Sequence, residues 1–360
     1  MDQQSNQGSR PPVVIDCLQY CNWSRAVFAQ LNAGGVHAIH VTVAYHEDFR
    51  QTIVNLIAWN ERFQRFPEFL LPGRVADDVR KAQASGRTAV FFGLQNCSPI
   101  EQDLGMIEIL HSLGIRFMQL SYNHAGPLAT GWVEEQDDQG ITQLGRAAIA
   151  EMNRVGLVID MSHSAERSTL EAIDLSARPV AISHANPSAW CATGRNKSDA
   201  VLKALAARDG VLGFSLYPRH LEGGSRCTLE DFCAMVARTA DLIGTEHLGI
   251  GSDLCQDQPD AVVRWMRTGI WDQSDDADAT AGDDMHGAMR FPDQPSWFRS
   301  NLDMPGLANG LRATGFSQRE VSGIMGMNWL RFFRSSFEPA AVEPDAREPA
   351  PATSDPYRAA

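Results

Sequence analysis

The chain has 360 residues, 44% of them hydrophobic, and a formal net charge of −13. That is enough apolar material for a large core. An acidic chain without a dense basic patch argues against a nucleic-acid partner, and no run reaches the ~18 apolar residues of a membrane span, so no membrane partner is expected.

In chain order, residues 1–12 are polar and lack the apolar stretch of a secretory signal, and they read as a disordered N-terminal segment. Seven cysteines, an odd count with no paired CxxC framework, read as reduced thiols in a cytoplasmic protein. Eight short apolar runs follow: Val13–Asp16, His37–Val43, Thr88–Leu94, Ile115–Ser121, Leu157–Met161, Pro179–Ser183, Val211–Ser215 and His247–Gly251. Helix-like stretches separate them. Gly35, Gly86, Gly114, Gly156, Gly210 and Gly244 stand before six of the runs, where a left-handed helix stop is expected. Near-continuous apolar runs of this length are how parallel strands buried on both faces read. Eight of them predict an α/β fold, a single (β/α)8 TIM-type barrel over residues 13–337. A doubly wound open sheet is the runner-up.

The interval Tyr45–Arg87 is long and predicts an extra amphipathic helix over Thr52–Phe66, with Trp59 and Phe63 on its core stripe. Residues 257–295 form an acidic insertion carrying Asp272, Asp275, Asp276, Asp278, Asp283 and Asp284. It lacks the spacing of a calcium loop and reads as a solvated loop or a lid. Phe316–Phe333 reads as a closing helix, and the Pro- and Ala-rich tail, residues 338–360, as disordered.

Active sites of such barrels lie at the carboxyl ends of the strands. The fifth predicted strand runs into Ser162-His163, the sixth into Ser183-His184 and the eighth into Ser252-Asp253. Two imidazoles and a carboxylate make a divalent-metal set with an open position for water. Zn²⁺ is the first choice, with Fe²⁺ or Mn²⁺ as alternatives. Asp253 either joins the metal or stands off it and takes a proton from water. Arg195-Asn196 follows the sixth strand, where an arginine suits a substrate carboxylate.

These residues resemble the membrane dipeptidase (renal dipeptidase) family of the amidohydrolase superfamily. The resemblance runs from about Val13 to Phe333. It is carried most specifically by VIDMSHSAERSTLEAIDLSARPVAISHANPSAWCATGRN (Val158–Asn196), then by HLGIGSD (His247–Asp253) and GLQNCSPIEQDLGMIEILHSLGIRFMQLSYN (Gly93–Asn123). It implies a barrel that hydrolyses dipeptides or related small amides at a two-zinc centre. His163 and His184 match the histidine ligands of one zinc, Asp253 the late aspartate that serves the other zinc and the water, and Arg195 the carboxylate-binding arginine. The family's frequent dimerisation adds a homodimer to the expectations.

Other positions depart from the family pattern. Leu18 and Tyr20 stand where the first strand should supply a His-x-Asp pair. Gln95 replaces the bridging glutamate, and Tyr122 replaces a pocket histidine. Leu18 cannot ligate, and a neutral Gln95 bridges two cations poorly. Burying a second dication without anions is unfavourable. One metal is therefore expected, on His163 and His184, with Asp253 or the oxygen of Gln95 completing it. Cys17, Cys97 and His124 lie near enough in sequence to substitute, but packing is the favoured reading of each. Tyr122 either fills space or donates to an oxyanion. His37 and His40 read as satisfied barrel histidines, and Trp23 as a residue lining or capping the pocket. The leading functional reading is a metal-dependent hydrolase of a dipeptide or small amide. Two alternatives are a retired barrel that binds an amino-acid-like ligand and a repurposed metal enzyme for a methylated or betaine-type metabolite.

Overall fold

A computed structural model of the chain describes residues 12–269 and 291–337. The expectations for the first eleven residues, the six insertion aspartates and the tail from residue 338 lie outside the described residues. Nine strands are present: β1 (Ile15–Gln19), β2 (Ala38–Ala44), β3 (Leu70–Pro72), β4 (Thr88–Leu94), β5 (Ile115–Gln119), β6 (Val158–Asp160), β7 (Ala181–Ala185), β8 (Val211–Phe214) and β9 (Leu248–Ile250). All pairings between them are parallel, and β2 pairs with both β1 and β4, which closes the ring. The eight predicted strands are the eight staves of the barrel.

The ninth strand, β3, was not predicted. It pairs with the start of β4 through Leu70–Thr88 and Leu71–Ala89, while β5 joins β4 only from Phe92 onward. β3 thus occupies the gap at the lower end of one barrel seam. The helix expected at Thr52–Phe66 spans Phe49–Arg65, started by a capping box between Asp48 and Gln51.

Alternation along the staves divides the core in two. Ile39, Val41, Val90, Ile159 and Ile182 belong to the large cluster shared with the surrounding helices. Ile15, Cys17, Ala38, Phe91, Phe117, Val158, Ala181 and Val211 belong to the inner cluster. His40 shares that inner face. Its ring lies 4.3 Å from Phe117, and its Nδ1 donates to Cys17 O at 2.7 Å.

The inner cluster continues into the C-terminal helix through Trp329, Phe332, Phe333 and Phe337. The expected closing helix is there, but in two α-helical pieces, Gln318–Ser322 and Asn328–Ser336, joined by a π-helical turn. The break falls at Gly326, where a side chain would press within 2.6 Å of Val13 O. Trp329 is fully buried and donates from Nε1 to Ile250 O at 3.0 Å. Of the six glycine stops, five have positive φ; at Gly210 the left-handed residue is instead Asp209, at φ 57°. Gly210 is small for another reason: a Cβ there would lie 2.6 Å from Val180 O.

The described start of the insertion, read from the sequence as a solvated loop or a lid, is regular rather than looped. Asp260–Thr268 is a helix, and Val263 on it is buried. All seven cysteines are free, and no helix among the described residues is long and apolar enough to cross a membrane.

If Trp329 closes the inner core, Trp329→Ala costs about 3–5 kcal/mol in urea unfolding, from lost burial plus the cavity left behind. Leu302→Ala, at a side chain 48% exposed, is the matched control and changes stability by less than about 0.5 kcal/mol.

Candidate active site

At the carboxyl ends of the strands lies a cavity of about 360 Å³. Gln95 reaches it from just past β4, Tyr122 and Asn123 from past β5, His163 from past β6, Tyr217 and His220 from past β8, and Asp253 from past β9. Arg195 and Trp132 come from the longer loops. Val263 and Met266 of the insertion helix, with Phe291, cover it. That helix is tied back to the barrel by Trp265 Nε1 donating to Glu47 at 3.2 Å and by a 3.2 Å contact between His46 Nε2 and Met266 O.

His163 and His184 are brought together, with their Nε2 atoms 2.9 Å apart. Their other nitrogens fix the protons. Trp132 Nε1 can only donate, so the Asn123 atom 2.8 Å from it is the carbonyl oxygen. That oxygen can only accept, so His163 Nδ1, also 2.8 Å away, carries a proton. On the other side Ser183 Oγ gives its single proton to Asp160 Oδ2 at 2.5 Å. It therefore accepts from His184 Nδ1 at 2.8 Å. Burial, reinforced by the Arg195 charge, holds both imidazoles far below their usual pKa and hence neutral. Two bare Nε2 lone pairs therefore face each other. Two Zn–N bonds of ~2.0–2.1 Å at a tetrahedral angle would put the nitrogens ~3.3 Å apart, an opening of about 0.4 Å from the 2.9 Å separation. The pair suits one cation.

Asp253 lines the same cavity but is not grouped with the histidines as a ligand: among the described residues no three His, Cys, Asp or Glu side chains are placed to hold a metal. Burial raises its carboxyl to about 6, against the lowering pull of Arg195. Its backbone takes φ 56°, with its N–H on Leu18 O at 3.0 Å. Arg195 is buried and donates to the carbonyls of Ser162 and His184. Burial lowers its pKa only to about 10, so it stays charged. Gln95 turns its amide nitrogen to Thr42 Oγ1 at 2.8 Å. The Tyr122 ring lies 4.4 Å from that of His163, and burial with the Asp253 charge keeps its hydroxyl protonated.

Asn196 does not line the cavity. Its oxygen accepts from Asn186 N–H and its nitrogen donates to Cys191 O and His220 O, so its amide is spent inside the loop. Leu18 is fully buried away from the cavity. Tyr20 stacks edge-on to Tyr45 at 4.9 Å, and Tyr45 to Tyr122 at 5.3 Å. Cys17 belongs to the inner core and Cys97 to the outer one, and His124 is an exposed partner of Glu134 at 2.7 Å. None of these three reaches the histidine pair. Trp23 packs on Phe28 and Trp59 rather than on the cavity.

Sequence reasoning missed His220 and Trp132, which line the cavity, and did not single out Lys197, which is buried but lies outside the cavity lining. His220 sits in a short 3-10 turn, Pro218–His220, six residues beyond β8. A search limited to one or two residues past each strand cannot see it, although a histidine in that loop was a usable signal. Burial keeps it neutral. Lys197 is buried, donates to Ser164 O at 2.6 Å, and has its pKa lowered by burial to about 7.

Comparison with known proteins places the chain in a family. A solved amidohydrolase from Pseudomonas aeruginosa superposes with a TM-score of 0.82 at 30% identity, covering 91% of this chain and 97% of that one. Dipeptidase aclJ of Aspergillus oryzae is 29% identical over 58% of this chain and 50% of its own length. Dipeptidase tcpJ of Claviceps purpurea is 25% identical over 83% of this chain and 63% of its own length. The chain thus spans about half to three-fifths of the curated relatives it matches. The family description "Membrane dipeptidase (Peptidase family M19)" fits residues 23–264. The chain belongs to the membrane dipeptidase family, Peptidase M19.

Proposed function

We propose that the chain is a metal-dependent hydrolase of a dipeptide or similar small amide that works with one metal, held by His163 and His184. The observation that carries this reading is the pair of bare Nε2 atoms 2.9 Å apart. Zn²⁺ suits two neutral imidazoles, with Fe²⁺ or Mn²⁺ as alternatives. A dication there supplies Lewis acidity, polarising a carbonyl and acidifying water. A second dication does not fit: Leu18 is buried core, Gln95 is neutral and brings a single amide oxygen, and the Tyr20–Tyr45–Tyr122 stack offers no carboxylate.

The remaining roles fall to the chain's own groups. Arg195 holds a substrate carboxylate with the N–H groups not used on Ser162 and His184. Asp253, ionised above about pH 6, takes the proton from attacking water. Tyr122 keeps its proton and donates to the developing oxyanion. Val263, Met266 and Phe291 exclude bulk water. Seven free thiols support a reducing, cytoplasmic setting. A retired, ligand-binding barrel is the second reading, favoured by the same loss of second-metal ligands.

Elemental analysis separates these readings. One metal per chain, abolished by His163→Ala, with chelator-sensitive cleavage in a screen of dipeptides and N-acyl amino acids, is the expected result. Two metals per chain would overturn the single-metal reading. No metal and no chelator-sensitive turnover would leave only the binder.

The proton acceptor gives a pH test. The base form of Asp253 is lost as pH falls through about 6, so kcat/KM falls on that acid side, and a bound cation moves the limb lower. Asp253→Asn removes the limb and lowers kcat by roughly 10²–10⁴-fold. An unchanged acid limb in that variant would assign the base elsewhere.

Arg195→Lys loses the fork that spans two carbonyls and a carboxylate. KM for carboxylate-bearing substrates rises about 10- to 100-fold, while an uncharged amide substrate is affected much less. Equal losses on both substrates would show that Arg195 acts only structurally.

A further inference from the structure

We propose that Asp160 is a positioning residue that, through Ser183, locks His184 in the Nδ1–H tautomer and so keeps its Nε2 bare for the metal. The proton count carries this. Asp160 Oδ1 accepts from the backbone N–H of Ser162 at 3.1 Å, from that of Ser183 at 3.0 Å and from Ser162 Oγ at 2.6 Å. Oδ2 accepts from Ser183 Oγ at 2.5 Å. Four donors converge on an acceptor-only group, and no contact is left for a carboxyl proton. Each serine has one hydroxyl proton, and both are spent on Asp160. Ser183 Oγ can then only accept from His184 Nδ1, and Ser162 Oγ accepts from the backbone N–H of His184 at 3.1 Å. Asp160 thus fixes both the ring proton and the backbone of His184 without touching the ring.

The device recurs on the far side of the site. Asp16 on β1 accepts from the backbone N–H of Ser252 at 2.7 Å and from its hydroxyl. Ser252 stands immediately before Asp253 as Ser183 stands before His184. In both cases the aspartate lies on the stave that pairs with the serine's own. The repetition at two strand ends, each followed by a cavity or ligand residue, marks a positioning role rather than incidental burial.

An amide in place of Asp160 makes the prediction sharp. Its oxygen must face the two backbone N–H groups, which cannot accept. Its NH₂ then faces Ser183 Oγ and donates to it. The serine proton, released from the aspartate, turns to His184 Nδ1 at 2.8 Å in preference to Ser162 Oγ at 3.2 Å, and His184 becomes the Nε2–H tautomer, which cannot ligate.

The experiment is ¹⁵N NMR of ¹⁵N-histidine-labelled, metal-free full chain at pH 8, with His184 assigned by difference against His184→Gln. The expected result is protonated Nδ1 in the wild type and protonated Nε2 in Asp160→Asn. Zn²⁺ affinity, from competition with a chelator, falls about 10- to 100-fold in that variant. Ser162→Ala removes a hydrogen bond from the same carboxylate but leaves the Ser183 relay, so it keeps the wild-type tautomer; a purely structural role would move both variants alike. If Asp160→Asn does not fold, Ser183→Ala decides, with the Nδ1–H preference lost. An Nε2–H wild type, an unmoved tautomer in Asp160→Asn, or a moved tautomer with unchanged Zn²⁺ affinity overturns the proposal. The affinity arm rests on the metal reading of the proposed function and the tautomer arm does not, so a wild type with Nδ1–H that binds no metal overturns that reading alone.

Discussion

Two unprotonated imidazole nitrogens held 2.9 Å apart are an unfavourable arrangement by themselves. Their lone pairs repel, and burial removes the water that would otherwise separate them. The surrounding structure is arranged to keep a proton from relieving this. On one side the indole of Trp132 turns the Asn123 oxygen toward His163. On the other, Asp160 takes the Ser183 proton. Arg195 adds a positive charge that disfavours protonating either ring. Three independent influences act in the same direction, and in the metal reading proposed above a cation relieves the strain they maintain.

Local charge bears on the one-cation reading proposed above. The groups that act on Arg195 through their charge include Asp253 and Asp160. Asp16 adds a negative charge at Asp253, and Lys197 a positive one at the two imidazoles. Asp160 and Asp16 are already hydrogen-bonded to Ser183 and Ser252, which leaves Asp253 as the carboxylate that faces the cavity, and uncompensated buried charge is costly. Leu18 and the Tyr20–Tyr45–Tyr122 stack, which bring no carboxylate to the site, fit the same reading. Together these residues fill with apolar and aromatic surface a sector that would otherwise need buried carboxylates.

The sequence made the staves legible because each is a continuous apolar run after a turn residue, and a barrel stave must be apolar on both faces. β3 escaped because three residues, one of them proline, carry no periodicity. The insertion helix escaped because its apolar positions, Val263, Trp265 and Met266, sit among Asp and Arg and become a pattern only in the fold, where Val263 and Met266 line the cavity and Trp265 meets Glu47. At Gly210 the expected reason for glycine was wrong: the left-handed turn falls on Asp209. Within the site, His163, His184 and Asp253 were expected at strand ends and lie there, while Arg195 reaches the cavity from the loop after β7. Asn196 was misread because a loop amide satisfies backbone groups as readily as it meets a substrate, and the sequence does not distinguish the two uses. Trp132 was invisible because its loop returns to the site only in three dimensions, whereas His220 lay beyond the one or two residues considered past each strand.

The serine before each key residue explains why the site follows the strand ends so closely. A strand of three residues, such as β6 or β9, has few ladder hydrogen bonds to hold its last side chain. Ser183 and Ser252 add a backbone and a hydroxyl bond to an aspartate on the neighbouring stave, so each stave end is fastened sideways as well as along the ladder. The bonds are charge-assisted and buried, the conditions under which they hold geometry best. Short staves leave room above the apolar plug of Phe91, Phe117 and Trp329 for a cavity, and the aspartate–serine pairs restore at the rim the rigidity that short strands give up. A barrel built this way can change the far half of its site without loosening the near half, because His184 and Asp253 are each fastened by their own aspartate.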